Sequence, residues 1–473
     1  MVFNSYTFII FFALVASIYN LPIPWVWKKR HLLLASYLFY AAWNPPFVLL
    51  LWLSTVVDWY VAKWMAASEE ERRRRLLLIL SLVINLGLLA FFKYAGFLID
   101  TVNFVLGLWS LRLPVAAPSI ILPAGISFYT FMTLSYSLDV FYRRTPPCKS
   151  FLDYALFLTF FPHLVSGPIV RAAEFTPQLE APKQATAGQF ALGLCLITYG
   201  LFEKTVLADY FLASPAEQLF KGEAVPDLLS AWCGILAFAG QIFYDFSGYT
   251  TCAIGVAMCF GFTFPENFRF PYAAAGFSDF WQRWHMSLSR WLRDYLYIPL
   301  GGNRHGTARL YRNLMLTMLL GGLWHGASWT FVIWGAMHGL FLIAERIVTG
   351  HGTRKLPGGG PGRALITVAT FVCICFTWVF FRAHSLPQAF AICQGLLGVR
   401  PSQADRLLAM PDILRVVLVT TALLATHWVL RDTTWIQVFQ RLRSTERTLL
   451  LALLLAMIVM APGIDRAFVY FQF

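Results

Sequence analysis

Apolar stretches long enough to cross a bilayer recur along the whole chain, at about 6–26, 46–64, 76–95, 120–141, 186–203, 228–244, 250–264, 311–333, 331–348, 364–382, 409–430 and 448–468. Inside hydrocarbon every backbone amide must find its partner within the protein, which leaves helices and closed barrels. These stretches are continuous rather than alternating, so they specify helices. With 58% hydrophobic residues, 43 Phe and 17 Trp in 473 positions, the polar residues are too few to cover a soluble domain of this size. The expected fold is all-α and polytopic, with about 11–13 membrane elements, re-entrant and interfacial helices included, around a central funnel. A single integral-membrane domain is expected over 1–473.

Residues 1–5 carry no basic n-region, and no small-residue cleavage site follows, so 6–26 reads as a retained first span. A net charge of +13 raises the question of nucleic acid, but the cations sit in short clusters between spans. These are Lys28-Lys29-Arg30, Arg72 to Arg75, Arg143-Arg144, Arg354-Lys355, and Arg441, Arg443 and Arg447. That is the positive-inside pattern, and it predicts contact with membrane lipid and none with nucleic acid. With the first cluster cytoplasmic the N-terminus faces out, and the next clusters return to the cytoplasm if 32–43 and 46–64 form two crossings broken at Asn44-Pro45-Pro46. The run Glu69 to Arg75 reads as a solvated loop and Pro357 to Gly362 as a flexible connector. Asp139, ahead of Arg143-Arg144, reads as an interface or salt-bridge residue. Eight cysteines show no metal-ligand spacing, and neither a disulfide nor a metal is expected.

Most of the polar information lies between 240 and 345. Phe277, Phe280, Trp281, Trp284, Leu288, Trp291, Leu292 and Tyr295 fall on one face of a helix, with Asp279, Gln282, Arg283, Ser287, Arg290, Arg293 and Asp294 opposite. Such a helix lies in an interface or lines a funnel mouth, and two readings of its arginines stand side by side. They meet lipid phosphates, or they meet the phosphates of a nucleotide-bearing acyl donor. Pro299-Leu300-Gly301-Gly302-Asn303-Arg304-His305-Gly306 then forms a tight turn. Two Trp-His pairs, Trp284-His285 and Trp324-His325, stand forty residues apart, and His338 follows. An imidazole at membrane depth is costly unless it packs against protein or lines a wet cavity. On one straight helix His325 and His338 would point to nearly opposite sides, so they form one cluster only if the glycines break it.

The segments Leu122 to Phe131, Phe161 to Ile169, Asp245-Phe246-Ser247-Gly248-Tyr249, Phe280 to Ser289, Gly301 to Arg304, Gly322-Leu323-Trp324-His325-Gly326 and the closing Tyr470-Phe471-Gln472-Phe473 resemble the membrane-bound O-acyltransferase (MBOAT) family. The run from 280 to 326 is similar to its bacterial alginate O-acetyltransferase branch. The resemblance implies a multi-pass protein of the bacterial inner membrane that passes an acetyl group from cytosolic acetyl-CoA, as co-substrate, toward an exported polysaccharide. Transfer is direct or runs through a periplasmic acetyltransferase or esterase-like partner within a polysaccharide synthase complex. It implies His325 as the catalytic residue and His285 as a second. Gln282 and His305 depart from the basic residues common in that branch.

The chemistry suits these residue types. A thioester is already activated, so the protein must orient a hydroxyl, take its proton and hold the developing oxyanion. His325 is the hypothesised general base, and His285 would orient the donor or hydrogen-bond the thioester carbonyl. Asp245, His338, Ser328 and Asn303 are candidate supporting residues, with Asp245 set to orient a histidine or to satisfy backbone groups at a helix break. Arg283, Arg290, Arg293 and Arg304 are candidate donor-binding residues. A relative carrying D-alanyl or another acyl group, and a polysaccharide-export transporter or scaffold, are the competing readings.

Overall fold

The computed structural model describes residues 1–111, 118, 120–350, 360–399, 406–461, 466, 468 and 469. The closing motif at 470–473 and residues 357–359 of the expected connector lie outside the described residues, and Gly360-Pro361-Gly362 open the helix Gly360–Arg382 instead of continuing a flexible connector. Among those described there is helix and no strand. Seven helices among the described residues are long and apolar enough to cross a membrane: Pro45–Ala67, Glu71–Gly107, Ala187–Leu219, Leu228–Cys259, Trp329–Val348, Gly360–Arg382 and Met410–Leu430. This is an all-α, multi-pass membrane protein.

Several of the apolar stretches fold with other bounds than the sequence suggests. The stretches at 228–244 and 250–264 are one helix of 32 residues, Leu228–Cys259, because Ser247-Gly248 between them does not break it. The stretch 6–26 forms only the 14-residue helix Tyr6–Tyr19, since Pro22 and Pro24 end it and the next helix, Trp25–Ala41, starts behind Pro24. Ile126–Phe141 and Ser444–Met460 are likewise short of a full crossing, at 16 and 17 residues.

Chain contacts define two compact units, one of Met1–Leu194 with Ala253–Pro265, the other of Cys195–Cys252 with Glu266–Phe473. In the first, the buried carboxylate of Asp58 accepts from Ser81, from Ser137 at 3.2 Å and from Asn85 at 2.7 Å, tying three apolar helices by polar bonds where lipid offers no hydrophobic drive. Asp139 does pair with Arg144, at 3.5 Å.

The second unit carries all the candidate site residues. Its scaffold is a hairpin of Thr307–His325 and Trp329–Val348, reversed over Gly326-Ala327-Ser328. The two backbones approach through glycines. A Cβ on Gly322 would stand 3.2 Å from Gly335 Cα, and one on Gly335 would stand 3.1 Å from Leu319 Cα. Gly335→Val is therefore expected to force the helices apart, at about 1–3 kcal/mol of overpacking. Thermal melting of the purified variant in detergent measures that loss.

Candidate active site

The break at Gly326 brings His325 and His338 to the same aromatic wall. Trp334, one turn before His338, packs its ring 5.1 Å from His325 and 4.5 Å from His338. His325 is 5% exposed and also packs against Trp324 at 4.9 Å and Phe381 at 5.3 Å. His338 is fully buried, boxed by Phe280, Trp281, Trp334 and Phe341, and neither ring nitrogen has a hydrogen-bond partner among the described residues. Ser328 is structural, since its Oγ accepts from the Thr330 amide and caps the second hairpin helix.

The helix expected over 277–295 is not continuous. Phe277–Trp281 and Met286–Leu292 are separate, and between them His285 adopts a left-handed conformation with φ 42° and ψ 55°. That conformation costs a non-glycine residue about 1–2 kcal/mol. Asn267 stabilises it from a neighbouring loop. Its backbone carbonyl accepts from Met286 N at 2.9 Å, and its side-chain oxygen accepts from Ser287 N at 3.1 Å and Ser287 Oγ at 2.9 Å. The same oxygen lies 3.1 Å from His285 Nδ1. At the other end, Glu345 Oε2 accepts from Phe277 N at 2.5 Å and Ser278 N at 3.1 Å, which pins the first short helix to the hairpin.

The two Trp-His motifs meet. The His285 and His325 rings are 6.5 Å apart, and His285 packs edge-on against Phe246 at 4.7 Å. His285 lies outside the seven spanning helices, and burial pushes its imidazole down to about 3, so it is neutral at pH 7.

Beside this pair is a cavity of about 600 Å³ lined by Arg269, Arg290, Arg293 and Arg346 together with Trp281 and Tyr297. No acidic residue lines it, and although Asp294 pairs with the lining Arg293 at 2.6 Å, the arginine excess suits an anionic ligand. Trp281 is both cavity wall and neighbour of the histidines, with its ring 5.8 Å from Trp334 and 5.1 Å from His338. The ring contacts from cavity to His325 thus run through Trp281 and Trp334.

Of the four arginines read as donor-binding, Arg290 and Arg293 line the cavity and two do not. Arg283 is buried, bonded to Asp279 at 2.6 Å and to the Arg431 carbonyl at 2.5 Å, so its guanidinium locks the fold. Arg304 and Asn303 are exposed on the glycine turn, which Asn313 anchors through the Gly302 carbonyl at 3.0 Å. Among the described residues, the partners of Asp245 are Lys204 and a backbone amide, not a histidine. It pairs with Lys204 at 2.5 Å and accepts from Val469 N at 2.8 Å, while Lys204 also reaches Asp209 at 3.0 Å. Lys204 and Asp209 sit in Glu203–Leu212, a ten-residue π-helical segment whose wider turn brings both inward.

The profile of the membrane-bound O-acyltransferase family matches residues 128–383, which holds His285, His325, His338 and the cavity. The chain belongs to this family. The MBOAT chain is 40% identical over 409 residues to the "Probable alginate O-acetylase" of Pseudomonas aeruginosa, covering 86% of this chain and 77% of that one. It is 38% identical over 418 residues to the peptidoglycan O-acetyltransferase of Helicobacter pylori, covering 83% and 77%. The teichoic acid D-alanyltransferase of Bacillus subtilis matches at 29% over 278 residues, covering 54% and 68%. This MBOAT protein is a membrane-embedded O-acyltransferase.

Proposed function

We propose that this O-acyltransferase carries acetyl groups, taking them from acetyl-CoA at the cytosolic face of a bacterial inner membrane and delivering them toward an exported polysaccharide. The observation that supports this most is the acid-free arginine cavity, joined through Trp281 and Trp334 to the paired imidazoles of His285 and His325. Phosphates of the donor would meet Arg269, Arg290, Arg293 and Arg346, with its base against Trp281 or Tyr297. A neutral imidazole, His325 foremost, takes the hydroxyl proton as the oxygen attacks the thioester carbonyl. The C–S bond breaks and the proton passes to the departing thiolate. The final acceptor is reached directly or through a periplasmic esterase-like partner of a polysaccharide synthase complex. The longer and closer matches to O-acetylating relatives favour acetyl over D-alanyl, which stays as the second reading.

Purified protein in detergent should release CoA thiol from acetyl-CoA when a hydroxyl acceptor is present, and no thiol release would overturn the reading. Removing both Arg290 and Arg346 by alanine is expected to raise KM for acetyl-CoA about 100-fold or more, since each lost charged hydrogen bond costs about 1.5–3 kcal/mol and about 1.4 kcal/mol is tenfold. The same variant should change kcat little, because the cavity does not include the histidines.

A further inference from the structure

The contacts of Asn267 determine more than the backbone of His285. A side-chain amide can be built with its oxygen and nitrogen exchanged, so its orientation has to come from its partners. Here the partner is the backbone N–H of Ser287, which can only donate. The atom facing it at 3.1 Å is therefore the oxygen of Asn267, and the same oxygen faces His285 Nδ1 at 3.1 Å. An amide oxygen has no proton to give, so Nδ1 must carry the hydrogen. In a neutral imidazole the other nitrogen, Nε2, is then a lone pair.

We infer that Asn267 is a positioning residue that locks His285 in its Nδ1–H tautomer, so that Nε2 enters the reaction as a proton or hydrogen-bond acceptor and not as a donor to the thioester carbonyl. This corrects the carbonyl-binding role that the sequence allows for His285. Polarising the carbonyl falls to other donors, and the hydroxyl proton has a second acceptor within the histidine pair. The lock is built in three dimensions. One amide oxygen holds the ring nitrogen and the first turn of the helix that follows, and Asn267 is 1% exposed, so water does not compete for it. The left-handed backbone at His285 places the ring beside its own helix N-terminus, where that shared oxygen can reach both.

The consequence for catalysis rests on the acetyl-transfer reading, but the tautomer does not, and the test separates them. Full-length protein labelled with ¹⁵N-histidine is examined at rest by NMR, with His285→Gln identifying the signals. A protonated Nδ1 and bare Nε2 at position 285 are expected, and a protonated Nε2 overturns the inference whatever the activity. In the acetyl-CoA assay Asn267→Ala is expected to lower kcat tenfold or more with KM within twofold, and its His285 signals should show mixed tautomers. Asn267→Asp keeps an acceptor at the same place and covers the case in which the alanine variant fails to fold. It should restore both the Nδ1–H signal and kcat to within a few-fold. An alanine variant that keeps kcat, or an aspartate variant whose neutral His285 carries its proton on Nε2 and not on Nδ1, overturns the inference. Wild-type protein that consumes no acetyl-CoA fails the acetyl reading alone, and the spectrum still decides the tautomer.

Discussion

His325→Ala is expected to lower acetyl transfer by about 10²- to 10⁴-fold, the range that a positioned general base contributes. The side chain sits at the last residue of a helix, against Trp324, Trp334 and Phe381, so its removal leaves the hairpin contacts at Gly322 and Gly335 in place. His325→Gln fills more of the space without supplying a base. Both variants should stay monodisperse in detergent, with KM for acetyl-CoA near that of the parent. Thiol release at saturating acetyl-CoA checks the expectation, and a folded alanine variant with parental kcat would end the assignment.

Asp245→Ala is expected to be the most destabilising single change, for reasons unconnected with the acyl group. Asp245 is fully buried and shares Lys204 with Asp209, and its second oxygen holds the Val469 amide. Removing Asp245 leaves Lys204 to Asp209 alone among the described residues and strands the Val469 amide, and breaking a buried ion network in this way costs about 3–5 kcal/mol. Replacing all three charges, Lys204→Met with Asp209→Leu and Asp245→Leu, removes the cation together with both counter-charges and should recover much of the loss. Melting curves of the single variants and the triple variant give the coupling directly. A triple variant no more stable than Asp245→Ala would show that the ion network is not what the position supplies.

The fold class was readable because spanning helices write themselves as long apolar runs. The hairpin reversal was readable too, as a condition: glycines around 326 had to break the helix for His325 and His338 to meet, and they do. What escaped was set by contacts between segments distant in sequence. The periodicity of 277–295 is real, yet a residue eighteen positions upstream, Asn267, captures two amides and splits the helix at His285. Nothing in the sequence around Asn267 signals that. Arg283 sits on the polar side of the pattern and pairs locally with Asp279, but its buried partner is a backbone carbonyl at 431. The cavity draws Arg269 and Arg346 from two other elements, which no spacing rule joins to Arg290 and Arg293. Lys204 was within reach: ending the apolar stretch at 203 set aside two charges, Lys204 and Asp209, that the helix Ala187–Leu219 carries inside, where buried charge demands a partner.

The glycine-mediated contact of the hairpin constrains how such a protein can diversify. With the two main chains touching, neither helix has room to slide or roll, so Trp324, His325, Trp334 and His338 travel as a single rigid piece. A lineage that takes up a new polymer or a bulkier acyl chain has to redraw the approaches to that piece and leave the piece itself alone.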